Sequence, residues 1–431
     1  MRSKSSTNAG HKMFSMATEL YPICRSITGD GVRATLHRIA RDLPIHINEV
    51  PSGTQVFDWT VPEEWNIRNA WIRDINGNTI VDFRNHNLHI MGYSIPVSRK
   101  IKLAELILHL HSLPDQPDLI PYRTSYYKND WGFCLRHTDL VKMVDSEYEV
   151  FIDSSLHAGH LTYGELAIPG EVEDEFIIST HICHPSLAND NLAGICVAVQ
   201  IGKFLLKRPR KYSYRFLFIP GTIGSITWLA LNQNLLDHIK SGLVIACAGD
   251  TSPLHYKSTP DGDSILDRVM RSVIVTCGQN RQIIDYYPYG YDERQFCSPG
   301  INLPVGCLMR SRHGEYPEYH TSADNLEFIK ADSMNDTLVT VINAIEVFEN
   351  NCIYINLKPK CEPRLAKYGL YNDCGGQRNS KFDELVYLWI LHLSDGNNDL
   401  LSIAEKSGIP FCIVLQAARE LRSCGLLEKL Q

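Results

Sequence analysis

Residues 179 to 194 read Ser-Thr-His-Ile-Cys-His-Pro-Ser-Leu-Ala-Asn-Asp-Asn-Leu-Ala-Gly, so one loop carries His181, His184 and Asp190. Imidazole and carboxylate are good donors for a borderline divalent ion such as zinc, and a carboxylate can bridge two ions. The same Asn-Asp pair precedes a run of small residues that reads as a helix start, where Asn189 or Asp190 could serve only as a cap. Three donors together make metal binding the expectation. Asp250 follows an apolar run at 243–248, a place for a site acid at a strand end and equally for a turn former. His320, in Tyr-His-Thr-Ser-Ala-Asp-Asn, is the fourth candidate ligand, with Thr321, Ser322 or Asp324 capping the next helix.

A polar loop at 289–300, Tyr-Gly-Tyr-Asp-Glu-Arg-Gln-Phe-Cys-Ser-Pro-Gly, adds chemistry of another kind. Glu293 is the right type to shuttle a proton, Arg294 to hold a substrate carboxylate in a bidentate pair, and Tyr291 to line a substrate beside it. The competing reading is a surface ion network. Arg310, just past a strand, is a second candidate anion clamp. Cys183 and Cys297 read as buried thiols rather than nucleophiles.

These residues need an α/β frame. Strand-like runs at 161–168, 175–180, 215–220, 243–248 and 305–310 alternate with helical stretches at 194–206, 228–236, 265–276 and 326–349. That alternation predicts a mostly parallel mixed sheet sandwiched by helices, with the candidate residues at the carboxyl ends of strands. A further strand at 148–153 is assigned to the same body. The segment 13–43 is helical, broken near Gly29–Gly31. A β-rich stretch with an Asn76-Gly77 turn follows, closed by a helix near 103–113. From about residue 382, three apolar helices at 385–393, 400–407 and 413–424, with Gly-Ile-Pro between the last two, predict a winged helix-turn-helix whose wing starts at Gly425. The expected domains are 13–48 with 125–352 (α/β), 49–124 (inserted, β-rich) and 353–431 (winged helix).

The chain has 431 residues, 44% hydrophobic and 21% charged, which excludes a disordered or fibrous protein. A net charge of −7 gives no overall cationic field for nucleic acid or anionic lipid. Thirteen cysteines without a CxxC pair suit neither a disulfide scaffold nor a zinc knuckle. The amino terminus shows no signal-peptide pattern and no run is long enough for a membrane span, so a cytoplasmic protein without membrane contact is expected.

The ordered set HxC…NDNxAG, an apolar strand with a Gly-Ser turn, GD, and then YHTSADN resembles the co-catalytic zinc aminopeptidase fold. In detail it resembles a bacterial aminopeptidase-like family of poorly defined function with a β-rich insertion and a carboxy-terminal winged helix. Asn87-Leu-His89, Tyr122-Arg-Thr-Ser-Tyr-Tyr127 and Gly290-Tyr-Asp-Glu-Arg-Gln295 carry that likeness, which covers nearly the whole chain. The resemblance implies one or two zinc ions, with His181 as first histidine ligand, Asp190 as bridge, Asp250 as carboxylate ligand and His320 as final ligand. It also implies two adjacent glutamates after the strand ending at Pro220, one of them a general base, but this chain has Gly221-Thr222. Cys183 likewise stands where those enzymes have an aspartate.

The expectation is therefore a zinc-dependent, aminopeptidase-like hydrolase of an amide bond in a small peptide or amino-acyl substrate. Its general base would be relocated to Glu293 or, second, to Glu318, two residues before His320 on one side of a short strand. The inserted segment would roof the site, with Tyr126, Tyr127 and Trp131 at its exit. The alternatives are acyl transfer on the same metal site, or a retired scaffold used for binding through the winged helix. The tail from Lys381 carries five Lys/Arg against seven Asp/Glu, which argues against phosphate contacts. It is expected to pack on the body or to make a homo-oligomer contact.

Overall fold

The computed structural model describes residues 4–276, 281–370 and 384–430. The chain forms two compact units, Met1–Gly262 with Asn280–Val339, and Asp263–Gln279 with Thr340–Gln431.

The first unit is built on an eight-stranded mixed sheet. Its strands are β1 (His46–Pro51), β2 (His160–Ile168), β3 (Glu175–His181), β4 (Ser213–Ile219), β5 (Ile239–Ile245), β6 (Leu254–Lys257), β7 (Arg281–Ile284) and β8 (Val305–Met309). Their spatial order is β1-β2-β4-β3-β5-β8-β6-β7. The central four, β4-β3-β5-β8, are parallel; β2 and β6 join their two sides antiparallel, β1 pairs antiparallel with β2, and β7 pairs parallel with β6. Except for the first residue of β3 and of β4 and Lys240 of β5, the residues of these four strands are buried. That is why they read as unbroken apolar runs: a parallel sheet covered on both faces has no solvent side to alternate with. Helix Gly194–Leu205 packs on β3 and on helix Lys4–Leu20. The chain leaves β3 for β4 on one side and reaches β5 on the other. The sheet thus has a switch point at the carboxyl end of β3, where a crevice opens in folds of this kind.

A second sheet, antiparallel throughout, joins Thr79–Asp82, Glu64–Arg73, Glu147–His157 and Val97–Lys102. Here the strand expected at 148–153 departs from its expected place, because it pairs with Glu64–Arg73 and not with the main sheet. Its alternating burial, with Tyr148, Val150, Ile152 and Ser154 inward, is that of a strand covered on one face only. The helix expected at 103–113 is one turn, Leu103–Leu106, followed by a 3-10 turn and the short strand Leu110–His111.

The second unit carries a winged helix. Helices Glu384–Leu393, Leu400–Ser407 and Phe411–Ser423 bury Ile390, Leu401, Val414 and Leu421. The strands Asp395–Asp399, Ile353–Asn356 and Leu427–Lys429 form its antiparallel sheet. Asp399 caps the middle helix by accepting from the Ser402 N–H, and Gly408 ends that helix in the left-handed conformation. Lys381 lies outside the described residues. No helix among the described residues is long and apolar enough to cross a membrane.

Candidate metal centre

The parallel strands deliver their loops to one edge. His181 ends β3, Gly221 follows β4, Cys247 follows β5 and Arg310 follows β8. Asp190 is the hub. One of its oxygens lies 2.7 Å from His181 Nε2 and the other 3.0 Å from His320 Nε2. His184 completes a compact group with His181 and Asp190, their donor atoms all within 4.8 Å of one another. Burial penalises the Asp190 carboxylate, but the imidazoles of His184, His181 and His320 outweigh that penalty and hold its pKa well below the ordinary value. Burial holds His184 well below an ordinary histidine.

The neighbours of Asp190 are a bracket. Asn189 Nδ2 donates to Asp250 Oδ2 (2.8 Å), and Asn189 Oδ1 accepts from the Gly249 N–H (2.8 Å). Asn191 Nδ2 donates to Thr180 Oγ1 (2.8 Å), while its Oδ1 accepts from the Cys247 N–H (3.2 Å). The carboxylate of Asp324 accepts from the Asn189 and Asp190 N–H groups at 2.6 and 3.0 Å. The three side chains tie the β3 loop to the loops after β5 and before helix Ala331–Asn350, so the Asn-Asp-Asn triplet positions the hub and does not merely cap a helix.

Of the expected residues, His181, Asp190 and His320 are brought together. Asp250 is not. Its oxygens accept from Asn189 Nδ2 and from the Ser252 and Ser311 N–H groups, and it belongs to neither close donor group among the described residues. The chain turns at Cys247, so the sulfur of Cys247 approaches Asp190, and His313 joins it there. The sequence reading missed both.

Three polar expectations are corrected by geometry. Arg310 is buried with every donor directed inward, to Thr337 Oγ1, the Ser252 and Ser333 carbonyls, and Asp336, so it anchors helix Ala331–Asn350 and leaves no arm for an anion. Glu293 is buried in an ion pair with Lys257 Nζ (2.5 Å) and accepts from the Tyr291 N–H, which ties down the loop and leaves it poorly placed as a proton shuttle. Glu318 lies in consecutive turns, not on a strand, so the same-face argument that set it beside His320 fails.

The Tyr291 ring lies tilted against His181 with ring centroids 3.8 Å apart, and its hydroxyl lies 3.4 Å from Cys183 Sγ and donates to the Gly221 carbonyl (3.3 Å). Burial pushes the Cys183 thiol up to about 12. A Cβ built on Gly221 would sit 1.8 Å from Tyr291 Cε1. The ring thus stands beside the position where the resemblance calls for a glutamate. Asp292, the next residue, is buried, accepts from Ser225 Oγ and has one oxygen with no partner; burial raises its pKa to about 6.

A cleft of about 570 Å³ opens beside the centre, lined among others by His184, His320, Tyr291, Gly221, Arg123 and Arg294. Arg294 Nε has no hydrogen-bond partner. Tyr126, Tyr127 and Trp59 also line the cleft, and the Trp59 and Tyr127 rings approach to 5.8 Å. Trp131, in contrast, is core, stacked on His109 at 3.7 Å.

This frame is that of the aminopeptidase-like α/β fold. A zinc aminopeptidase from Bacillus subtilis has the same fold, with a TM-score of 0.57 at 13% identity, over 80% of this chain and 94% of that one. Residues 14–351 match the family described as "Domain of unknown function (DUF4910)" and residues 352–429 a winged helix-turn-helix family, and the chain belongs to the DUF4910 family. A Clostridium acetobutylicum protein named "Putative polysaccharide biosynthesis protein with aminopeptidase-like domain" is 49% identical over 99% of this chain and 98% of its own length. The crystal structure of a "putative peptidase" from Clostridium acetobutylicum superposes with a TM-score of 0.94 at 48% identity, over 99% of this chain and 98% of that one.

Proposed function

We propose that the protein is a zinc-dependent hydrolase of an amide bond in a small, negatively charged amino-acyl or peptide substrate. The observation that carries the reading is Asp190, with His181 on one oxygen and His320 on the other, at the end of a cleft that presents Arg294 and Arg123. The imidazole and carboxylate donors suit zinc, and His181, Asp190 and His320 would hold it. When bound, zinc polarises a carbonyl and lowers the pKa of a water molecule to about 7. The arginines would orient a substrate carboxylate or phosphate. His184 borders the cleft, its ring 5.0 Å from that of His181 and 5.2 Å from that of His320, and joins the donor set in this reading.

Metal content and hydrolysis of N-terminally free and N-acylated amino-acyl amides test the reading. The Asp190→Asn variant should lose both metal and turnover. His184→Gln should weaken metal binding and lower turnover with it. Metal-free wild-type protein after zinc is supplied would rule the reading out. The ring of Tyr291 against Gly221 favours a second reading, in which peptidase chemistry has given way to acyl transfer or to binding alone. A product that lacks added water would identify the transfer.

A further inference from the structure

We propose that Cys247 and His313, sharing Asp190, form a second metal position that takes a thiophilic divalent ion such as zinc. The assignment shares Asp190 with the reading above but does not depend on amide hydrolysis.

The donor atoms of Asp190, Cys247 and His313 all lie within 4.8 Å of one another, and all three residues are buried. His313 is 2% exposed, yet neither of its ring nitrogens has a hydrogen-bond partner. A buried polar atom left unpaired is costly, so an imidazole with two such atoms calls for a ligand. The ring is not loose, since it stacks on Tyr291 (5.8 Å, 16°) and meets Tyr319 edge to face (6.4 Å).

Cys247 points the same way. Its φ of 44° is a left-handed conformation that residues with a Cβ seldom adopt. Two hydrogen bonds hold it there: its N–H donates to Asn191 Oδ1 (3.2 Å), and its carbonyl accepts from the Arg310 N–H (2.9 Å). Local strain maintained by surrounding hydrogen bonds is a mark of a functional position. The Cys247 sulfur also lies 3.6 Å from the Tyr316 hydroxyl. A thiolate in the donor set selects zinc, cobalt or cadmium over magnesium and calcium. The carboxylate expected here from Asp250 is engaged elsewhere, and a sulfur and an imidazole occupy the ground beside Asp190.

The test is a cobalt(II) titration of the full-length, reduced, metal-stripped protein, with bound metal and absorption recorded together. The expected result is about two ions per chain and a near-ultraviolet thiolate-to-cobalt charge-transfer band. Cys247→Ser should abolish the band and one equivalent, His313→Gln should lose that same equivalent, and His181→Ala should keep the band. Circular dichroism checks that each variant is folded, and His313→Gln stands in should Cys247→Ser fail to fold. Cobalt bound without the band, or a Cys247→Ser variant with band and stoichiometry unchanged, overturns this assignment and leaves the His181 centre standing. A His181→Ala variant that loses no metal and keeps the band sinks the His181 centre instead. No cobalt uptake overturns both.

Discussion

A methyl group at position 221 has no room, because the Tyr291 ring occupies the space a Cβ would enter. We therefore expect Gly221→Ala to lower stability by about 1–3 kcal/mol, the cost of overpacking a filled site. In a Tyr291→Ala background the same substitution should cost much less, and the double-mutant cycle measures the difference. Additive effects in thermal melts would contradict the packing described. The pairing also explains what could be read in advance at this scale. His181, Asp190 and His320 were legible because each lies in a run of residue types whose order along the chain is itself a signal. Cys247 and His313 carry no local pattern, and their role depends on a backbone turn at Cys247 and on an imidazole without partners, both visible only in three dimensions. Arg310 and Glu293 misled for a related reason. A charge near a strand end looks the same in sequence whether it faces a substrate or an internal partner such as Asp336 or Lys257.

At the scale of elements, the helix Asp30–Ala40 is joined to the antiparallel sheet by a bidentate pair, Arg33 to both oxygens of Glu64 at 2.7 and 2.6 Å. Arg33 holds the Glu64 carboxyl down to about 2, from an ordinary 4.5. A carboxyl depressed in the folded state stabilises it above the unfolded pKa, and that contribution is lost as pH falls through the folded value. Stability should therefore decline between about pH 4.5 and 2 as this pair is protonated. Glu64→Gln should cost roughly 1–2 kcal/mol at pH 7, after allowance for solvent screening, and flatten that decline. Denaturant midpoints across the pH range read both, and an unchanged acid limb in the variant would mean the pair contributes nothing. Element type was legible for the parallel core, where apolar runs admit little else. The placement of Glu147–His157 was not, because neighbours are chosen by pairing across long separations: this strand meets Glu64–Arg73, more than seventy residues earlier. Its in-out alternation was the available clue that it belongs to a half-covered antiparallel sheet.

At the scale of the whole molecule, a winged helix invites the expectation of DNA binding, and the charges of this one oppose it. The helix that would enter a groove, Phe411–Ser423, offers Gln416, Arg419, Glu420, Arg422 and Ser423 as polar side chains. Arg419 already donates to Asn350 Oδ1 (2.7 Å), and Glu420 accepts from the Tyr387 hydroxyl (2.5 Å). Ser423 Oγ donates to the Glu420 carbonyl (2.7 Å), so three of the five are engaged, one of them an acid that would repel phosphate. Affinity for duplex DNA comes mainly from cations that displace condensed counterions, and each phosphate contact adds about 0.9 to the slope of log K against log salt. With Arg422 as the one cation of this helix not engaged by a hydrogen bond among the described residues, the slope should be about −1 or shallower. Non-specific binding should then be undetectable at physiological salt. Fluorescence anisotropy with a labelled duplex at about 50 and 200 mM salt measures this, and a steep slope with tight binding at low salt would overturn it. A flat response would leave the winged helix a protein-facing module, consistent with a helix in which Arg419, Glu420 and Ser423 are already engaged within their own unit.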